Sequence, residues 1–158
     1  MVKNGSAQDD EYFTRGKYLG FLVRVASSGI LWGVWCGKTW ATAKDPSGVK
    51  AALFLTWESQ EAAFESFRNN AAKFPEGATV DSIVLDKWLD LYTVDLISAN
   101  AAVFVNPDSA LRGVVVDPKQ LCRDLLAKSK HEWKLQGSDL VRLKTRVLKK
   151  RKQKQVRE

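Results

Sequence analysis

Residues 30–57 read ILWGVWCGKTWATAKDPSGVKAALFLTW. Ile30–Cys36 and Lys38–Ala43 are short runs rich in Trp, Ile, Val and Thr, residue types that fit a pleated, half-buried surface. Gly37 is the only turn former between them, so a two-residue hairpin turn has to borrow Lys38. Asp45-Pro46-Ser47-Gly48 is a stronger turn, because Pro presets φ and Gly accepts positive φ. Lys50–Thr56 is therefore predicted to return as a third antiparallel strand. Three strands in succession place a sheet at the centre of the chain.

Outward from this sheet the pattern alternates. Asp9 and Asp10 can cap a helix running to about Ser27, in which Tyr12, Phe13, Leu19, Leu22, Val23 and Ala26 recur near helical spacing. Gly16 and Gly20 weaken this helix, and Gly29 stops it. On the other side, Thr56 or Ser59 can cap a helix over about 58–73 with Ala62, Ala63, Phe67, Ala71 and Phe74 on one face, ended by Pro75-Glu76-Gly77. Val80–Leu85 reads as a strand, and about 86–97 as a helix with Trp88, Leu89, Leu91, Tyr92 and Leu96. Ala101–Val105 and Gly113–Val116 are continuous apolar runs around Asn106-Pro107-Asp108, the pattern of a hairpin deep in a sheet. Asp117-Pro118 opens a last helix through Lys128, with Leu121, Cys122, Leu125 and Leu126 facing inward. The order α-βββ-α-β-α-ββ-α predicts an α+β fold: a mixed, largely antiparallel sheet with helices on one or both faces. No internal repeat of 20–50 residues is visible.

The chain has 158 residues, 45% of them hydrophobic and 27% charged. A domain of this size buries roughly 68–70% of its unfolded surface, enough for one core without disulfides or metals. The net charge of +7 is unevenly placed. Residues 1–127 carry 13 basic and 15 acidic groups, whereas residues 128–158 carry 12 basic and 3 acidic ones. This divides the chain into a globular domain over 1–127 and a basic tail over 128–158. The N-terminus lacks the apolar core of a signal peptide, and no run approaches the ~18 apolar residues of a membrane span, so a cytoplasmic protein without membrane insertion is expected.

Catalytic and metal-binding patterns fail on spacing. Cys36 and Cys122 have neither a CxxC partner nor a neighbouring His, and read as two reduced, mostly buried thiols. Cys36-Gly37-Lys38-Thr39 ends like a phosphate-binding loop, but its first Gly would have to stand where Trp32 is, and Lys38 opens a strand rather than a helix. The single histidine, His131, falls in a polar linker, away from any group that could orient it. Asp45, Asp81, Asp86, Asp90, Asp95 and Asp117 could meet in space as acid–base pairs, yet they stand where turns and helix caps want them. The expectation is therefore no enzyme, no cofactor and no metal.

Six tryptophans are more than a core of this size needs. Trp32 and Trp35 point to opposite faces of one strand because side chains alternate, so either one reaches the surface or helices cover both faces. Large rigid rings bury area at low entropic cost, and Trp35, Trp40 and Trp57 are the candidate protein-partner site. In the tail, Ser138 can cap a helix with a narrow apolar stripe of Leu140, Val141, Leu143, Val147 and Leu148. Its other faces carry Arg142, Lys144, Arg146, Lys149, Lys150, Arg151 and Lys152, a candidate site for a partner or for nucleic acid. Trp133 is the only ring in this segment, so stacking on single-stranded bases is poorly served, and an interfacial helix would want Phe and Trp anchors that are missing.

Several of these residues recur together in a known family. Trp32-Gly33-Val34, Trp40-Ala41, Phe54-Leu55-Thr56-Trp57, Ala62-Ala63, Leu85 with Trp88-Leu89, Val103-Phe104-Val105 and Gly113-Val114-Val115-Val116-Asp117-Pro118-Lys119-Gln120-Leu121 match in order and approximate spacing. Over about residues 12–127 the chain resembles the bacterial domain-of-unknown-function family 2750. It departs from the family in having Leu55-Thr56 where a Pro is expected before the Trp, and in its basic extension. The resemblance implies a small cytosolic bacterial protein with no assigned catalysis, with some members among toxin-immunity or regulatory genes, and it carries over no functional residue. Together these readings predict a non-catalytic binding protein, immunity-type or regulatory, that neutralises a partner protein such as a bacterial toxin. The alternative is a nucleic-acid-associated protein that uses the tail.

Overall fold

The computed structural model describes residues 7–132. Strand β1 (Ile30–Trp35) lies antiparallel to β4 (Thr79–Val84), with Trp32 opposite Ser82 and Trp35 opposite Thr79. A second group is ordered β2 (Thr42–Ala43), β3 (Ala52–Thr56), β5 (Ala101–Val105), β6 (Val114–Val116). Within it β3 and β5 run parallel, from Ala52 opposite Ala101 to Thr56 opposite Val105, and the other two pairings are antiparallel. The groups meet where Trp32 and Trp57 exchange backbone hydrogen bonds of 2.9 and 2.8 Å. The result is the expected α+β fold with a mixed, mostly antiparallel sheet.

The predicted hairpin between Ile30–Cys36 and Lys38–Ala43 is only partly present. A turn closes on Cys36 N–H to Thr39 O, and Trp35 and Trp40 face each other across a single bridge. Thereafter the chain leaves β1: Ala41 N–H still donates to Val34 O at 2.7 Å, but Ala41 O accepts from Leu55 N, and Thr42–Ala43 pair with β3. The segment thus fills the fork where β1 and β3 diverge. Gly33 permits this crossing, because a Cβ there would stand 2.9 Å from the Trp40 ring.

Helices pack on both faces of the sheet, and Trp32 and Trp35 both stay partly exposed. Phe54 and Leu55 project to opposite sides of the sheet, as do Val103 and Phe104. On the first side Phe54, Val103, Val105 and Leu31 pack against Phe21, Leu22 and Val25 of α1 (Ala7–Ser28), Trp88 and Leu89, and Leu121 and Leu125 of α5 (Pro118–Glu132). Tyr18 Oη ties α1 to α5 by donating to Asp124 at 2.5 Å. On the second side Leu55, Val34 and Trp57 pack against Ala63 and Phe67 of α2 (Gln60–Asn69). Ser59 caps α2 through its hydroxyl, which accepts from Ala62 N–H. Gly29, at φ 72°, ends α1 with its N–H on Val25 O.

Two elements differ in detail from expectation. The helix predicted over 86–97 is α3 (Leu85–Lys87), a π turn (Trp88–Tyr92) and α4 (Thr93–Ser98) in one continuous run. Thr93 donates both its N–H and its hydroxyl to Trp88 O, an i to i−5 closure. α5 continues to Glu132, past the end expected at Lys128, so the backbone at His131 is helical rather than linker.

Candidate functional site

The three tryptophans do not form one patch. Trp57 is only 1% exposed and packs under α2, with its indole N–H donating to Pro107 O at 2.8 Å. It is a core residue, and its place among the expected surface aromatics is corrected accordingly. Trp35 and Trp40 are half-buried neighbours in edge-to-face contact, centroids 5.1 Å apart at 70°. Arg142, Lys144, Arg146, Lys149, Lys150, Arg151 and Lys152 lie outside the described residues.

Trp40 is held from three directions. Its indole N–H donates to Tyr92 Oη at 3.1 Å, and its ring approaches those of Phe54 at 6.2 Å and Tyr92 at 6.3 Å. A groove of about 350 Å³ opens beside it, floored by Phe54, Ala52 and Ala101 and walled by Tyr92, Leu96 and Ala99. Asp95 and Thr39 stand at its polar margin. Aromatic surface of this kind, fixed before contact, loses little side-chain entropy on binding. Sequence reasoning found Trp40 but missed Tyr92, which the 3–4 spacing assigned to the inner helix face. The π turn at Trp88–Tyr92 has no simple sequence signal.

A second cleft, of about 310 Å³, lies at the carboxyl ends of the parallel neighbours β3 and β5. Trp57 and Glu58 enter from β3, Asn106 to Asp108 from β5, Lys17 from α1 and Ser66 from α2. Carboxyl ends of parallel strands collect loops and favour ligand crevices. Asn106 is buried in the left-handed region at φ 50°, and two bonds hold it there: its N–H donates to Thr56 O at 2.8 Å, and its Oδ1 accepts from Glu58 N–H at 2.9 Å. Such conformations persist where their surroundings fix them and concentrate at functional sites.

The charges of this cleft have distinct duties. Asp108 Oδ1 accepts from Ala110 N–H at 2.9 Å and Arg112 N–H at 3.0 Å, while Arg112 Nε lies 3.5 Å from Oδ2. Burial works against the Asp108 carboxylate, but those N–H donors and the charges of Lys17 and Arg112 outweigh it and hold its pKa below the ordinary value. Lys17 Nζ donates to Arg112 O at 2.9 Å, and burial lowers its pKa against the pull of Asp108 and Glu58. Glu58 differs: its Oε2 is closed off from solvent and has no hydrogen-bond partner among the described residues.

The remaining candidates have structural roles. Asp45 accepts from Lys50 N–H, from both donors of Ser47, and closes the predicted turn. Asp117 accepts from Lys119 N–H at the start of α5. Cys36 and Cys122 form no disulfide; Cys122 is buried, and Cys36 is half-buried with its pKa raised by burial. Among the described residues no three His, Cys, Asp or Glu side chains are grouped to hold a metal ion, and no helix is long and apolar enough to cross a membrane.

Neither the curated proteins nor the solved structures provide a match to the chain. The family described as "Protein of unknown function (DUF2750)" matches residues 18–125, which run from Tyr18 on α1 to Leu125 on α5 and take in every strand of the sheet, the groove beside Trp40 and all of the second cleft's lining but Gly16 and Lys17. That span exceeds half of the chain, and the protein belongs to the DUF2750 family.

Proposed function

We propose that this is a non-catalytic, cytoplasmic binding protein of immunity or regulatory type, which seats a segment of a partner protein such as a bacterial toxin beside Trp40. The carrying observation is the pinned ring of Trp40, bonded to Tyr92 and packed on Phe54 at the mouth of an apolar groove. The complementary segment presents an apolar side chain to Phe54 and Leu96 and a basic one to Asp95. The local duties of Asp45, Asp108 and Asp117 support a binding role over acid–base catalysis.

The test is co-expression with the product of an adjacent toxin gene. Restored growth and co-elution of the purified pair are expected, and toxicity undiminished by this chain contradicts the proposal. Trp40→Ala should weaken the pair at least tenfold while leaving the fold intact. The nucleic-acid reading rests on the 12 basic residues of 128–158. It requires salt-dependent DNA or RNA binding that a chain ending at residue 132 loses.

A further inference from the structure

One long edge of the sheet has no neighbour. Trp32 spends both its N–H and its C=O on Trp57, so by the alternation of an antiparallel pair Leu31, Gly33 and Trp35 are the residues that bond to β4. Their opposite numbers Ile83, Asp81 and Thr79 turn inward, and Val80, Ser82 and Val84 turn their backbone groups away. Ser82 N–H is met by the Asp81 carboxylate at 2.9 Å, and among the described residues no strand pairs with this side of β4. The other edges are blunted by their length: β2 has two residues, and β6 has three and is followed by Pro118. β4 has six residues in unbroken register, without Pro, Lys or Arg, so the Asp81 carboxylate is its one guard against strand addition.

Apolar side chains flank this edge. Val84 is 57% exposed, and Trp32, which lies opposite Ser82, is partly exposed on the same face. α2 packs over β1 and β4 and turns Ser66 and Asn70 toward Asp108 and Ser109, on the β5 side. Helical spacing places Phe64, 47% exposed, on its other flank, toward β4.

We propose that β4 pairs antiparallel with β4 of a second copy about a two-fold axis at Ser82, joining the two sheets into one. The strand is complementary to itself in this register. Ser82 stands opposite Ser82 of the second copy and Val80 opposite its Val84, which pairs hydroxyl with hydroxyl and β-branched with β-branched side chains. Asp81 stands opposite Ile83 of the second copy, so the two carboxylates are not directly opposed. Pairing moves Ser82 N–H from the Asp81 side chain to a carbonyl of the ladder. The edge shares no residue with the Trp40 groove, and the inference is independent of the partner proposed there.

The test is sedimentation equilibrium of the full-length chain across the micromolar range at physiological salt. The average mass should rise with concentration toward twice the 17.7 kDa of one chain. Ser82→Lys and Ser82→Glu each set like charges against one another at the axis and should weaken association at least tenfold, whereas an equal mixture of the two variants should associate again. Val84→Pro removes an outward N–H at a residue whose φ of −68° suits proline, and should block pairing with the fold retained. A chain that stays monomeric overturns the proposal. So does a dimer that survives all three variants, or a mixture of the Ser82 variants that fails to associate. Exchange protection of the Val80 amide that arises only when a different protein binds would assign the edge to a foreign strand and overturn it as well.

Discussion

At the scale of single residues, the packing around three positions yields defined expectations. Gly33 sits against the Trp40 ring, so Gly33→Ala forces a shift and should cost about 1–3 kcal/mol; urea denaturation measures it. Trp57→Phe keeps most of the ring but leaves Pro107 O without its buried donor, a loss of about 1–3 kcal/mol by the same measurement. Asp45 and Asp108 both have pKa values held down in the fold, by Lys50 N–H and the Ser47 donors for Asp45 and by the N–H groups of Arg112 and Ala110 against burial for Asp108. The unfolded chain therefore takes up these protons first. Stability should be complete above about pH 4 and fall as pH drops through the lower folded values. A flatter acid limb of the thermal-unfolding profile in an Asp45→Asn/Asp108→Asn double variant checks the sign. The Asp45 turn was legible because Asp-Pro-Ser-Gly is local chemistry. The unmet oxygen of Glu58 was not, because it depends on α1, β3 and β5 converging from distant parts of the chain.

Elements were legible where their signals were local. Ser59 as one of two candidate caps, Gly29 as stop and the hairpin around Asn106-Pro107-Asp108 all follow from short-range rules, and the structure has them. What escaped were choices made by partners. β2 shrinks to two residues because segment 40–43 divides its hydrogen bonds between β1 and β3, a competition that periodicity cannot express. The π turn in 88–92 rests on the closure from Thr93 to Trp88 O and brings Tyr92 to Trp40. Tyr92→Phe removes that acceptor and should cost about 1 kcal/mol. Its signature is displacement of the Trp40 indole resonance, with the Trp57 indole unmoved.

For the whole molecule, the charge of +7 describes neither part well. The family match ends at Leu125, so the basic excess beyond it is an addition to a body that is slightly acidic. Within that body the sheet is covered on both sides, which leaves the groove beside Trp40 as prepared apolar surface and the Glu58 cleft as prepared polar surface. The first of these is the surface proposed to receive a partner protein. Hydrogen exchange of the chain alone and in the purified pair tests it most directly. A partner seated beside Trp40 should give new protection at residues 39–42 and 92–99, lost in Trp40→Ala. Protection confined to other surfaces, with Trp40→Ala binding as tightly as the natural chain, would contradict it.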